Sequence, residues 1–367
     1  TIDAYYNGVE MEGYYGGVEN VSINNSNIMT DIRNGIYVYT DDNLKNITIN
    51  NDSVVSNGRD AVYLYGLNVD DVNIDNLYAK GDTSGSSDEG LYMYADQNLT
   101  NINITNSHII GGRALYLEGY QTYENILIDN VIAHGQYALN TYSAYGLYVG
   151  ASYGYGDNLT ITNSTLLSDT AYGAYIEGDD ASLTQIVIDN STFEGYRYGL
   201  YLEAYAGINT AYITNSSFKA EQTTSDYTYA LYIYNDYSIM KDITIDSCAF
   251  DASYCGVYTE GYYNLGMENI TVQNSEINLE GSSFYYGIYA YSDTKIKGYR
   301  VTNNKINTKT TGSSGYGIYL GGYGGTSKVI VNNNDMKIDG TSARAIYLEY
   351  LKDSNTVAFN DIDTNGS

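Results

Sequence analysis

The stretch GIYVYTDDNLKNITINN, Gly35 to Asn51, decides how the chain folds. Ile36 and Val38 alternate with Tyr37 and Tyr39; after an acidic turn, Ile47 and Ile49 alternate with polar residues up to Asn51. Alternation with a period of two marks strands with one buried face, so the aliphatics go inward and the tyrosines toward solvent. Two such strands bury too little to stand alone, and the stretch gains meaning only if it recurs.

It does recur. The second half, aliphatic-x-aliphatic-x-Asn, returns as VSINN, ITINN, VNIDN, INITN, ILIDN, LTITN, IVIDN, AYITN, ITIDS, ITVQN, YRVTN, VIVNN and VAFND. Its last position is Asn25, Asn51, Asn76, Asn106, Asn130, Asn163, Asn190, Asn215, Ser247, Asn274, Asn303, Asn333 and Asp361, at intervals of 24 to 33 residues. The first half, Gly or Ala followed by aliphatic-Tyr-aliphatic, returns with its ring at Tyr37, Tyr63, Tyr92, Tyr116, Tyr148, Tyr175, Tyr201, Tyr232, Tyr258, Tyr289, Tyr319 and Tyr347, and Glu10 holds the same place near the start. Three residues beyond each Asn-type position stands a third, mostly apolar one, such as Ile28, Val54, Ile109, Phe193 and Phe218.

Each repeat therefore holds three short strands joined by turns of variable length. No repeat can bury its apolar face alone, but stacked coils can, with like strands pairing in parallel. The pattern predicts an all-β fold, a right-handed parallel β-helix of about 13 coils of about 28 residues, forming one solenoid domain over residues 1–367. At strand spacing such a rod is roughly 60 Å long. Continuing the alternation past Ile47 and Ile49 points Asn51 inward, so the asparagines are expected to form a buried ladder of amides, each paired with its like in the next coil.

Composition narrows the function. A formal charge of −27 argues against nucleic acid and anionic membranes as partners. The acids admit calcium or another divalent cation, but no run matches a calcium loop, and no cofactor is expected. No apolar stretch is long enough to span a bilayer. Cys248 and Cys255 leave a local disulfide and two free thiols equally open. His108 and His134 have no partner at metal-ligand spacing and read as turn or surface residues.

The repeats resemble those of the pectin-lyase-like right-handed β-helix superfamily, and in character its autotransporter passengers and adhesin-type surface solenoids. The resemblance covers essentially the whole chain. It implies the fold rather than an activity, since that superfamily spans lyases, hydrolases, phage tailspikes and non-enzymatic fibres.

Two outward files are candidates for function. The twelve tyrosines form a strip suited to carbohydrate, a neighbouring cell surface or further copies of the chain. Two residues along runs a mixed file, Glu12, Tyr39, Tyr65, Tyr94, Glu118, Gly150, Glu177, Glu203, Tyr234, Glu260, Tyr291, Gly321 and Glu349. Within it Glu177 and Glu203 fall on successive repeats, followed by Asp179 and Asp180, and two carboxylates at strand spacing suit a retaining glycosidase. Against that, glutamate fills six of the thirteen places, which marks a habit of the repeat more than a unique site. The turns are short for an enzyme's walls: even the longer ones, at 77–89, 131–145, 216–229 and 304–316, are too small for a lid. The lyases of the superfamily use a basic residue, and the cluster Lys295, Lys297 and Arg300 lies on a different strand from the glutamates. Neither end of the sequence shows a capping helix, so open strand edges are expected to favour stacking into a fibre. The sequence thus predicts a non-enzymatic extracellular stalk or filament, with a polysaccharide hydrolase or lyase acting through Glu177 and Glu203 as the alternative.

Overall fold

The computed structural model describes residues 1–84, 88–136, 144–221, 227–263, 265–281, 284–309 and 314–365. They form an all-β right-handed parallel β-helix of about 13 turns. The chain divides into two compact units, Thr1–Ala181 and Ser182–Ser367.

In each unit like residues sit over like. Through the first, Tyr37, Tyr63, Tyr92, Tyr116, Tyr148 and Tyr175 are register partners in turn, as are Ile49, Ile74, Ile104, Ile128 and Ile161 on the second face. On the third face Ile28, Val54, Ala79, Ile109, Ala133 and Leu166 align. The second unit repeats the scheme with Tyr201, Tyr232, Tyr258, Tyr289, Tyr319 and Tyr347. Its third face opens on Phe193, Phe218 and Phe250, fully buried rings stacked at 5.0 and 5.3 Å. Burying aliphatic files of this kind supplies most of the stability.

The asparagines behave differently from the expectation. Asn25, Asn51, Asn76, Asn106, Asn130 and Asn163 are exposed, and all have φ between 50° and 56°, the left-handed region. Asn and Asp tolerate that region best after glycine, because a short polar side chain bonds locally. The chain turns its corner at this residue, so the alternation does not run through it. The amides still meet along the axis, Asn51 donating to Asn25 at 2.6 Å and Asn76 to Asn51 at 2.8 Å. Asn130 likewise donates to Asn106 and Asn303 to Asn274, whereas Asn106 and Asn215 donate to the Asp that precedes the corner of the neighbouring coil, Asp75 and Asp189.

The inward polar file lies one residue later. Asp52, Ser107, Ser164, Ser191, Ser216, Ser275, Asn304 and Asn334 are each at most 4% exposed. Their side-chain oxygens accept backbone N–H groups of the preceding coil, from Ser26 to Asp52 at 2.6 Å, Leu77 to Ser107 at 3.1 Å and Cys248 to Ser275 at 3.1 Å. Buried amides paired coil to coil do occur, at Asn304 and Asn334, and Asn334 donates on to the half-buried Asn360.

Two further differences concern register. A second left-handed corner stands five residues before the first, at Asn20, Asn46, Asp71, Asn101, Asn125 and Asn158 in the first unit. In the last coil Val331 pairs with Val357 and Asn332 with Ala358, so the corner falls on Phe359, with φ 54° and 86% exposed, while Asp361 pairs with Asp335. The VAFND motif thus stands two residues out of phase with the pattern expected of it, its corner at Phe359 and not at Asp361.

Not every tyrosine faces outward. Tyr123, Tyr285 and Tyr299 lie in the core. The first two lie over Gly156 and Gly315 of the following coil, where a Cβ would meet the ring at 2.2 and 2.4 Å.

Candidate functional site

The outer tyrosines form stacks. In the first unit Tyr37, Tyr63, Tyr92, Tyr116 and Tyr148 succeed one another at ring separations of 5.1, 4.9, 5.2 and 4.5 Å, with planes within 16° of parallel. Tyr175 meets Tyr148 edge-on at 5.6 Å. In the second unit Tyr201, Tyr232, Tyr258, Tyr289 and Tyr319 stack at 4.7, 4.7, 4.5 and 5.0 Å, and Tyr347 follows at 5.4 Å. Strand spacing imposes this, since adjacent rungs hold flat side chains about 4.8 Å apart. Ring faces are therefore occupied by one another, and the strip offers solvent ring edges and hydroxyls. Burial pushes the Tyr63 and Tyr94 phenols up to about 12, and raises those of Tyr92, Tyr116 and Tyr148 as well.

The neighbouring mixed file receives those hydroxyls. Tyr116 donates to Glu118 on its own strand, and Tyr258 to Glu260 at 2.9 Å. Where the place beside the ring is glycine, the hydroxyl reaches the next coil: Tyr148 passes Gly150 to donate to Glu177 at 2.7 Å, and Tyr319 passes Gly321 to donate to Glu349 at 2.7 Å. Tyr39 and Tyr65 bond Asp41 at 2.5 Å and Asp96 at 2.6 Å. Burial raises the pKa of Glu118, opposed by hydrogen bonds from Tyr116 and Ser152.

Glu177 belongs to the first unit and Glu203 to the second. Glu177 is half-buried on the strand Tyr172–Gly178. Asp179 and Asp180 follow in an exposed turn, Asp180 with φ 52°. Glu203, on the strand Tyr198–Ala204, has Tyr234 as register partner. Lys295 and Lys297 pair with Glu268 at 3.0 and 3.7 Å on another face. The four longer turns, at 77–89, 131–145, 216–229 and 304–316, each include residues outside the described set.

His134 bonds Asp169 at 2.7 Å and Gln136 at 3.0 Å, and His108 meets Tyr78 edge-on. Cys248 and Cys255 are buried free thiols; burial pushes Cys248 up to about 12 and Cys255 well up too, which makes both inert. Among the described residues no group of three or more His, Cys, Asp or Glu is placed to hold a metal ion. A groove of about 610 Å³ runs along the outer asparagine corner of the first unit, beside Tyr78 and His108.

Sequence reasoning missed two features here. A third tyrosine file precedes the Gly or Ala of the first signature, as Tyr145 over Tyr172 at 5.4 Å and Tyr198 over Tyr229 at 5.3 Å; the recurring Tyr-Gly dipeptide was its signal. In earlier coils of the same file stand Asp60, Glu89 and Arg113. Asp60 and Glu89 are 7% and 2% exposed, the Glu89 N–H donates to Asp60 at 2.7 Å, and Arg113 pairs with Glu89. Burial, then the contact with Asp60, raises the Glu89 carboxyl well above the ordinary carboxylate range, and burial raises Asp60 beside it. A carboxyl whose pKa is raised on folding holds its proton in the folded state where the unfolded chain has released it, so the unit loses stability as pH rises above the ordinary carboxylate range. Glu89→Gln is expected to flatten this dependence, measured as the difference in Tm between pH 5 and pH 8; an unchanged difference would rule the pair out as its source.

Residues 145–367 match the family model described as "Right handed beta helix region". No curated protein and no solved structure matches the chain.

Proposed function

The chain belongs to the right-handed β-helix region family, and on that premise we propose that it is a non-enzymatic extracellular solenoid. It serves as the stalk or a filament segment of a microbial surface protein of the autotransporter-adhesin kind, residues 1–367 making one solenoid domain. The observation that carries this reading is recurrence. Tyrosine hydroxyls meet carboxylates at Glu118, Glu177, Glu260 and Glu349 alike, in both units. A catalytic centre concentrates distinct groups in one place, whereas this chemistry is distributed along the axis. The stacked files stiffen the coils and present a hydroxyl and carboxylate edge toward further copies of the chain, or toward carbohydrate or a cell surface.

The runner-up is a polysaccharide hydrolase or lyase using Glu177 and Glu203. Incubation with a panel of polysaccharides is expected to release neither reducing ends nor unsaturated products, and electron microscopy of the purified chain to show rods or filaments. Release of reducing ends that Glu203→Gln abolishes would replace the stalk by the enzyme.

A further inference from the structure

We propose that the stacked tyrosines whose hydroxyls meet carboxylates, Tyr116 and Tyr148 in the first unit and Tyr319 and Tyr347 in the second, are relays for one-electron oxidation, with those carboxylates as the proton acceptors that let a neutral tyrosyl radical form and move. The proposal is independent of the adhesive reading and rests on two geometric facts. The first is ring overlap. Tyr116 and Tyr148 lie 4.5 Å apart with planes 13° from parallel, and Tyr258 and Tyr289 lie 4.5 Å apart at 12°. Electron exchange between aromatic rings falls steeply with distance, and face-to-face contact is where it is strongest.

The second fact is where the hydroxyls go. Packing alone would be satisfied by hydroxyls in water, yet Tyr116 donates to Glu118 and Tyr148 to Glu177. Tyr319 and Tyr347 donate to the two oxygens of a single carboxylate, Glu349, at 2.7 Å each. A phenol gives up an electron far more readily when its proton leaves at the same moment, because the phenol radical cation is a strong acid. The waiting carboxylate takes it.

The steps balance. A diffusing one-electron oxidant removes an electron from the Tyr116 phenol and is itself reduced by one electron. The phenolic proton crosses the existing hydrogen bond to Glu118, leaving a neutral phenoxyl radical beside a carboxylic acid. An electron from Tyr148 then fills the vacancy at Tyr116, which takes its proton back from Glu118, while Tyr148 passes its own proton to Glu177. Between Tyr319 and Tyr347 the same exchange uses one carboxylate, which returns a proton through one oxygen and accepts one through the other.

The test places a sink where an oxidant cannot reach. Tyr148, 9% exposed, is replaced in the full chain by ortho-aminotyrosine, which is easier to oxidise and has its own electron paramagnetic resonance signature. The oxidant is a photogenerated ruthenium(III) tris-bipyridyl complex, too bulky to touch that ring. The aminotyrosyl signal is expected with the file intact. It is expected to fall to the buffer control when the three rings in contact with position 148 are changed by Tyr116→Phe, Tyr145→Phe and Tyr175→Phe, which keep ring volume. Glu118→Gln, which leaves the stack in place and removes a proton acceptor, is expected to weaken it. No signal with the file intact overturns the relay, and that measurement stands even if the triple variant does not fold. A signal undiminished in the folded triple variant means direct oxidation and overturns it equally, and one indifferent to Glu118→Gln removes the carboxylates from the mechanism.

Discussion

Phe218→Ala is expected to destabilise the second unit by about 3–5 kcal/mol, the range for emptying a buried aromatic site. Phe218 is fully buried between Phe193 at 5.0 Å and Phe250 at 5.3 Å. Deleting the middle ring leaves both neighbours facing a cavity, and parallel strand pairing on either side fixes the walls, so little of the gap can collapse. Chemical denaturation followed by far-ultraviolet circular dichroism measures the loss. A loss below about 1 kcal/mol would mean that the coils slide together to refill the core, against the rigidity expected of close-packed interiors.

Asn304→Leu is the second large effect, at about 2–5 kcal/mol, because it strands buried polar groups. Asn304 is 2% exposed; its Oδ1 accepts the Ser275 N–H at 3.0 Å and its Nδ2 donates to the Val272 carbonyl at 2.9 Å and to Asn334 at 3.1 Å. Leucine fills the space and answers none of them. Asn303, one residue earlier, gives the opposite lesson. It is exposed with φ 58°, so Asn303→Leu is expected to cost about 1–2 kcal/mol from the left-handed backbone alone, and Asn303→Gly much less. The same denaturation experiment separates the two sites. Equal losses at 303 and 304 would show that corner geometry, rather than the interior amides, governs both.

The three-strand coil was legible in the sequence because its signal is repeated: Ile36, Val38, Ile47 and Ile49 have counterparts in every turn, and a core built by stacking needs them there. What escaped was what repetition hides. The second corner, at Asn20, Asn46 and Asp71 in the first unit, is held in the second by Gln185, Thr210, Asp242, Asn269, Gly298 and Lys328, so no single residue type announces it. The inward file one residue past the corner is filled in most coils by Ser, Asp or Asn, each offering an oxygen to the same backbone N–H, but by Leu77, Val131 and Cys248 in others, so it leaves no letter pattern. At Phe359 an aromatic stands in a corner normally held by asparagine, and alternation then favoured the wrong phase.

The candidate surface was legible as composition and not as geometry. The tyrosine and glutamate files could be traced by counting, but nothing in a string of letters says that rings one coil apart will hide their faces, or that Tyr148 will reach over Gly150 to the next coil. The Asp60, Glu89 and Arg113 cluster was invisible for a related reason. Its members lie 24 to 29 residues apart and share one file only once coil lengths are known.

The buried rings of Tyr123 and Tyr285 bear on how such a chain can grow or shorten. Most coils carry the same cross-section, so a whole turn can be gained or lost by duplication without disturbing its neighbours. Where an oversized ring is housed by the bare backbone of Gly156 or Gly315, two successive turns are cut to fit each other as key and lock, and they must be inherited together. These joints fix an order among otherwise interchangeable layers.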